Sequence, residues 1–273
     1  MPLTTDFFSV AQTLAHPGMG TENVGPLLYA LTCMRRPCTV IAVGLGYSTL
    51  FLLQALADIE REEVRDLKIL REEMSDPLRR EVLSDWQPEI SARRLIGIDD
   101  FSDDKGRLMH LQRCVKQLEF EHFFELHNCR YQEFSPLESS LPVGLTWIDC
   151  GHQIEYADLC NRFWPMVDED GGLLGIHYTH VDIQVKGDDG NESVVIAGPW
   201  VNAAKRQMLL AGMAAGYELL SIVEPHKQRQ GSVTLLRKID CVDRCRDNSL
   251  AQEQKALYSD TGVELQNMSE RGA

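Results

Sequence analysis

The chain has 273 residues, which suits one large domain built around a single hydrophobic core. Its formal net charge is −14, and a surface this acidic repels phosphate backbones and anionic lipid, so we expect neither nucleic acid nor a membrane as a partner. The eight cysteines are scattered and no basic, apolar leader opens the sequence, which predicts a cytoplasmic protein with reduced thiols.

The first part of the chain predicts helices followed by a buried strand. Residues 1–37 have a helical pattern that ends at Pro37. The run "TVIAVG" (39–44) is continuously apolar, which is typical of a strand covered on both faces of a parallel sheet. After the next apolar helix, the charged stretch at about 59–92 predicts a helical insertion. Such an insertion could form a lid or the surface of a homodimer, and a solvated hairpin without a role in the site is an equal alternative.

The rest of the chain alternates strands with helices. Further strands are predicted at 94–99, 123–129, 144–149, 173–180, 217–225 and 231–239. Helices are predicted at 105–120, 155–167 and 199–216, with a polar connection at 181–193. This alternation over residues 38–239 predicts an α/β domain with a mostly parallel, seven-stranded sheet whose last strand is antiparallel. Residues 240–273 are polar and are predicted to form a poorly ordered tail.

A glycine turn between the first strand and its helix predicts a ligand-binding loop. Gly44 and Gly46 allow the backbone to bend sharply and to approach a ligand closely. Ser48 begins a helix whose first N–H groups attract anionic or polar ligand atoms. Asp99 and Asp100 follow the second strand, where a carboxylate can accept hydrogen bonds from ribose hydroxyls. Together these residues predict a ligand that contains a nucleoside.

The spacing of the loop distinguishes between two classes of nucleoside ligand. A dinucleotide site has a third glycine, whereas this loop lacks it and carries the bulky Tyr47 where the pyrophosphate would lie. The loop instead resembles the first motif of the class I S-adenosylmethionine-dependent methyltransferases, which is an acidic residue followed by G-x-G-x-G. Gly44 and Gly46 match this motif, Ser48 stands at the third glycine, and Ala42 stands at the acidic position.

A second stretch extends this resemblance. "LTWIDCGHQIEYADLCNRFWPMVDEDGGLLGIHY" is similar to the segment between the fourth and fifth strands in the small-molecule O-methyltransferase-like branch. That branch has an Asp at the end of the fourth strand, a His three residues later, an aromatic residue, and a Gly-Gly turn. Asp149, His152, Tyr156, Gly171 and Gly172 occupy these positions. The resemblance covers about residues 38–239 and implies a Rossmann-like, doubly wound fold.

The resemblance also implies a cofactor, S-adenosyl-L-methionine, and roles for particular residues. The loop of Gly44, Gly46, Tyr47 and Ser48 would surround its methionyl part. Asp99, together with Asp100, would hold the ribose, and Asn128 would lie near the adenine. Asp149 would face the amino group of the cofactor or the substrate, which is expected to be a small molecule of secondary metabolism.

Methyl transfer requires a nucleophile aligned with the methyl group and a base that removes its proton. Near the ends of the fourth and fifth strands, His152 and Tyr178 are our candidate bases, with Asp149 beside them. Because His177 and Tyr178 alternate along a strand, only one of them can face the crevice, and we favour Tyr178. Some related sequences have His-Asp where this chain has His177-Tyr178, so we expect no metal, since hard cations prefer oxygen ligands.

Three alternatives remain open at this point. Some proteins of this fold use the aminobutyrate arm of the cofactor, either transferring it or closing it into azetidine-2-carboxylate with release of methylthioadenosine. Cyclisation needs a neutral amino group, and the loss of the acid at Ala42 is compatible with it. A nicotinamide-dependent oxidoreductase would share the strand, turn and acid, but Tyr47 argues against it. A catalytically inert binding or scaffold protein is the third alternative.

Overall fold

The computed structural model describes residues 3–16, 19–71, 75–83, 92–102, 104–136, 141–150, 155–186, 192–199, 217–224 and 231–239. Its helices are α1 (Thr5–Ala11), α2 (Val24–Arg35), α3 (Tyr47–Leu70), α4 (Pro77–Val82), α5 (Lys105–Gln117) and α6 (Tyr156–Phe163). Its strands are β1 (Thr39–Val43), β2 (Arg94–Ile98), β3 (Phe124–His127), β4 (Leu145–Ile148), β5 (Leu173–His177), β6 (His180–Lys186), β7 (Glu192–Pro199), β8 (Tyr217–Val223) and β9 (Ser232–Lys238).

Seven strands form one sheet in the order β3-β2-β1-β4-β5-β9-β8. The first five pair in parallel, whereas β9 lies antiparallel between β5 and β8. This topology confirms the predicted Rossmann-like fold with its antiparallel last strand. The carboxyl ends of the parallel strands lie at one edge of the sheet, so the loops after β1, β2, β4 and β5 gather there.

Apolar residues on both faces of β1 build the core. Val40 and Ala42 belong to a cluster with the apolar side of α3, which also includes Phe7 of α1 and Leu28 of α2. The alternate residues of β1 belong to a second cluster, on the other face, together with Phe163 of α6. Because side chains alternate along a strand, the five consecutive buried residues of β1 require this cover on both sides.

The structure differs from the predicted elements in two places. Helix α3 continues to Leu70, so the stretch predicted as an insertion from about residue 59 begins inside this helix and then continues into α4. Its charges did not end the helix because buried acids on it have partners; the carboxylate of Asp66, for example, lies 2.7 Å from Nη2 of Arg79. The predicted polar connection at 181–193 was wrong, since β6 and β7 form an antiparallel two-stranded sheet.

Several predictions concern residues that the structure does not describe. The predicted helix at 199–216 lies outside the described residues apart from Pro199, which ends β7. The predicted tail at 240–273 and His152 also lie outside them. Among the helices that the structure describes, none is long and apolar enough to cross a membrane.

Candidate functional site

The loop after β1 is fixed at one glycine and open at the other. Gly44 has a φ of +82°, and a Cβ there would lie 2.7 Å from both the carbonyl carbon of Asp149 and the Cβ of Cys150. A Cβ on Gly46 would have no atom of the described residues within 4 Å. The hydroxyl of Thr49 accepts a hydrogen bond from the Gly46 N–H at 3.0 Å, which stabilises the start of α3. The protein therefore packs against Gly44 and leaves space beside Gly46.

Asp99 connects this loop to the loop after β2. Its Oδ2 accepts a hydrogen bond from the Leu45 N–H at 2.8 Å, and its Oδ1 accepts one from the Phe101 N–H at 2.8 Å. Nη2 of Arg107 lies 3.3 Å from Oδ1 and 3.2 Å from Oδ2. A carboxylate has about four acceptor sites, so these four contacts occupy Asp99, whose side chain is only 7% exposed.

Asp100 is the more accessible of the two carboxylates. Its side chain is 34% exposed, and Oδ2 lies 3.5 Å from Nε of Arg130. The backbone N–H and the hydroxyl of Ser102 both donate hydrogen bonds to Oδ1, at 3.1 and 2.8 Å. These hydrogen bonds, the backbone one first, lower the pKa of Asp100. Asp100 is therefore ionised at neutral pH and can accept hydrogen bonds from a ligand.

A wide cavity of about 320 Å³ lies at the ends of β1, β2 and β3, within the usual size range of small-molecule sites. It is lined by Val43, Gly44, Ile98, Asp99, Asp100, Ser102, Cys129, Arg130, Tyr131, Gln132, Cys150 and Glu155. Asn128 is exposed to solvent and is not among the lining residues. Its predicted contact with adenine stays a prediction, and the four residues that follow it in sequence are those that line the cavity.

A narrow cavity of about 150 Å³ lies beside the wide one. It is lined by Leu14, His16, Met19, Thr21, Gly44, Leu45, Gly46, Tyr47, Arg107 and Asp149. Gly44 lines both cavities, so the two lie side by side at this glycine. The wall from the segment between α1 and α2 and the presence of Arg107 were not predicted from sequence, because neither belongs to a recognisable motif.

Asp149 lies at the end of β4 with both of its oxygens bonded. Oδ1 is 2.7 Å from Nδ1 of the buried His177, and Oδ2 accepts a hydrogen bond from the hydroxyl of Ser48 at 3.0 Å. That hydroxyl in turn accepts one from the indole N–H of Trp147 at 3.2 Å. Since an ionised carboxylate only accepts hydrogen bonds, the proton of this contact belongs to His177. Asp149 is thus held in one orientation at the narrow cavity.

The end of β5 does not follow the alternation on which the choice of Tyr178 depended. The strand ends at His177, and Tyr178 has a φ of +60°, in the left-handed region. The Tyr178 N–H donates to the carbonyl of Ser232 at 2.7 Å, which holds this turn against β9. Tyr178 is half-buried. It is His177 that contacts the strand-end Asp149, a contact that the sequence analysis did not predict.

Two further positions of the loop region have clear surroundings. The side chain of Ala42 is fully buried in the core, in the place where related loops carry an acid. The ring of Tyr47 packs against Phe51 with 4.9 Å between ring centroids, and it also lines the narrow cavity. Burial raises the pKa of the Tyr47 hydroxyl, with a smaller contribution from Glu22. The proposed exclusion of a pyrophosphate by Tyr47 stays a prediction.

The described residues contain no cluster of His, Cys, Asp and Glu able to hold a metal ion.

No protein-family model matches the sequence, and no curated protein matches it. Solved structures match the fold over most of the chain. The O-methyltransferase TomG from Streptomyces achromogenes, in complex with SAM, is 15% identical at a TM-score of 0.54, over 86% of this chain and 90% of that chain. Cofactor-bound Rv0187 from MTB is 12% identical at a TM-score of 0.52, over 86% and 89%. The SAH-bound methyltransferase PaMTH1 from Podospora anserina is 10% identical at a TM-score of 0.51, over 87% and 89%. The chain therefore has the fold of the class I S-adenosylmethionine-dependent methyltransferases.

Proposed function

We propose that the protein is an S-adenosylmethionine-dependent transferase that methylates a small metabolite. The observation that carries this proposal is the pair of cavities that meet at Gly44: a wide one lined by the carboxylates of Asp99, Asp100 and Glu155, and a narrow one at the start of α3. A nucleoside linked to an amino acid has the matching shape, with one bulky end and one slender, charged end. The fold is that of enzymes solved with SAM or SAH bound, which supports the same ligand here.

The residues of the site fit this cofactor. Asp99 and Asp100 would accept the ribose hydroxyls, and the residues after Asn128 would surround the adenine in the wide cavity. The space beside Gly46, which no described residue fills, would take the methionyl part. The cofactor supplies a methyl group that is already activated as part of a sulfonium, so the main tasks of the protein are to bind and orient the reactants and to exclude water.

Asp149 has a defined role in this proposal. Ser48 and His177 hold its carboxylate in place, and the negative charge faces the narrow cavity, where the amino group of the cofactor would lie. A neighbouring anion favours the protonated form of an amine. A protonated amine cannot attack its own γ-carbon, so this geometry favours methyl transfer over cyclisation to azetidine-2-carboxylate.

The proton of the acceptor must also be removed. His152 and Tyr178 remain our candidate bases, and Asp149 supplies a negative charge at the site. Once an acceptor is known, the single variants His152→Gln and Tyr178→Phe distinguish the two candidates. The variant that lacks the base should have a lower kcat and an unchanged affinity for the cofactor.

Two measurements test the proposal. Calorimetry should detect binding of S-adenosylhomocysteine and no binding of NAD; the reverse result would favour an oxidoreductase. Pure protein should then be incubated with S-adenosylmethionine alone and the products identified by mass spectrometry. Intact cofactor is expected until an acceptor is added. Methylthioadenosine together with azetidine-2-carboxylate would overturn methyl transfer, and binding without turnover across a library of small acceptors would favour a scaffold.

A further inference from the structure

The narrow cavity contains both signs of charge. Among the described residues that line it, Arg107 supplies a permanent positive charge and Asp149 a negative one. The amino-acid end of a ligand carries an ammonium and a carboxylate, which need partners of opposite sign. Asp149 suits the ammonium. The presence of Arg107 in the same cavity indicates a partner for the carboxylate.

The guanidinium of Arg107 is held in place by contacts within the protein. Its Cζ lies 5.4 Å from the centroid of the Phe101 ring, a cation–π geometry. Its Nη2 contacts both oxygens of Asp99, and the side chain is 34% exposed. A guanidinium has five N–H donors in a planar fork, a geometry that can contact two anions at once.

The contacts of Asp99 differ in length, and the difference indicates which of them would yield. The backbone N–H groups of Leu45 and Phe101 lie 2.8 Å from the carboxylate, whereas Arg107 lies 3.2 and 3.3 Å away. Asp99 also lines the wide cavity, so a ribose hydroxyl bound there would reach the same carboxylate that Arg107 contacts. Ribose and Arg107 therefore compete for Asp99.

We propose that Arg107 binds the carboxylate of the amino-acid arm, and that it exchanges Asp99 for this carboxylate as the ribose hydroxyls reach Asp99. The inference rests on the proposed function. It makes Arg107 a selectivity residue. A ligand with both a ribose and a carboxylate gives Asp99 and Arg107 a new partner each when their mutual contact is lost. A nucleoside without a carboxylate breaks that contact and offers Arg107 no anion in place of Asp99.

The test compares two ligands and three proteins by calorimetry. S-adenosylhomocysteine carries the amino-acid arm, and methylthioadenosine lacks it. In Arg107→Gln, the affinity for S-adenosylhomocysteine should fall about ten- to a hundredfold, the range expected for a lost charge-assisted hydrogen bond. The affinity for methylthioadenosine should not fall, because its ribose no longer competes with Arg107. Arg113→Gln, an exposed arginine on the same helix, should change neither affinity.

A loss of equal size for both ligands in Arg107→Gln would overturn the inference, because it would mean that Arg107 acts only by supporting Asp99. If wild-type protein binds neither ligand, the proposed function itself fails. Should Arg107→Gln not fold, wild-type protein decides the matter with decarboxylated S-adenosylhomocysteine, which keeps the amine and lacks the carboxylate. At least tenfold weaker binding of this ligand than of S-adenosylhomocysteine is expected, and equal binding would refute the role of Arg107.

Discussion

Replacing each glycine of the loop with alanine separates what the fold requires from what the ligand requires. At Gly44, alanine must adopt a φ of +82°, and its methyl group would lie 2.7 Å from atoms of Asp149 and Cys150. The left-handed conformation costs about 1–2 kcal/mol for a non-glycine residue, and overpacking adds about 1–3 kcal/mol. Gly44→Ala should therefore lower the free energy of unfolding by about 2–5 kcal/mol, a large part of the stability of a typical domain.

Gly46→Ala is the matched control, and its effects should be the opposite. The φ of Gly46 is 178°, which any residue adopts, and no described atom lies within 4 Å of the new methyl group. The free energy of unfolding should change by no more than about 1 kcal/mol, since the lower entropy of the unfolded chain offsets a slightly poorer helix cap. The methyl group would instead occupy the space assigned to the ligand. Binding of S-adenosylhomocysteine should weaken tenfold or more, which corresponds to at least about 1.4 kcal/mol.

Urea unfolding measures the free energy of unfolding of both variants, and calorimetry measures their affinity for S-adenosylhomocysteine. Equal stability of both variants would contradict the described packing of Gly44 against Asp149. Unchanged ligand affinity in Gly46→Ala, with the fold intact, would refute the assignment of the open side of the loop to the cofactor, even if the protein binds the cofactor elsewhere.

Two further changes test other parts of the site, and a third tests the core. Asp99→Ala should weaken binding of S-adenosylhomocysteine tenfold or more in calorimetry, and it should also destabilise the protein, since two backbone N–H groups each lose a charged acceptor worth about 1.5–3 kcal/mol; unchanged affinity in a folded variant would contradict the ribose site. His177→Ala should weaken binding of S-adenosylhomocysteine about tenfold, because it releases Asp149. His177→Asn should recover most of this affinity, since its amide can donate a hydrogen bond from nearly the position of Nδ1. Equal losses of affinity in the two variants would mean that the contact is merely structural. Burial raises the pKa of the Cys160 thiol to about 12 from an ordinary 9.0, so the folded protein keeps a proton that the unfolded chain loses. Its contribution to stability is complete below the ordinary value and is lost as the pH rises toward 12. Between about pH 9 and 11, urea unfolding of Cys160→Ala should depend less steeply on pH than that of wild type, by up to about 1.4 kcal/mol per unit, and parallel curves would refute the shift.

Local sequence patterns predicted the sheet well because its strands are buried and bounded by turns. The runs that became β1 and β4 are short, mostly apolar and buried at every residue, which is typical of strands covered on both faces of a sheet. The same logic failed where polar residues pair with each other. Strand β6 alternates apolar and polar residues and has no continuous apolar run, and α3 carries buried acids that a pattern analysis treats as exposed.

The candidate site was predicted where its parts are local in sequence. Gly44, Gly46 and Asp99 lie at or just after the strand ends that the sequence identified, and each of them lines at least one of the two cavities beside the loop. Arg107 and the wall from the segment between α1 and α2 were missed because only tertiary packing brings them to the loop. The contact between His177 and Asp149 was missed for a different reason: it depends on the exact residue at which β5 ends.

The position of the first two helices has a consequence for how this protein could change during evolution. Phe7 and Leu28 are buried in the same cluster as the apolar side of α3, while the segment between their helices forms one wall of the narrow cavity. Exchanging this wall as a module, together with its two helices, would also remove part of the core. The shape of the narrow cavity would therefore change by single substitutions in the segment between the helices, under a constant requirement for folding.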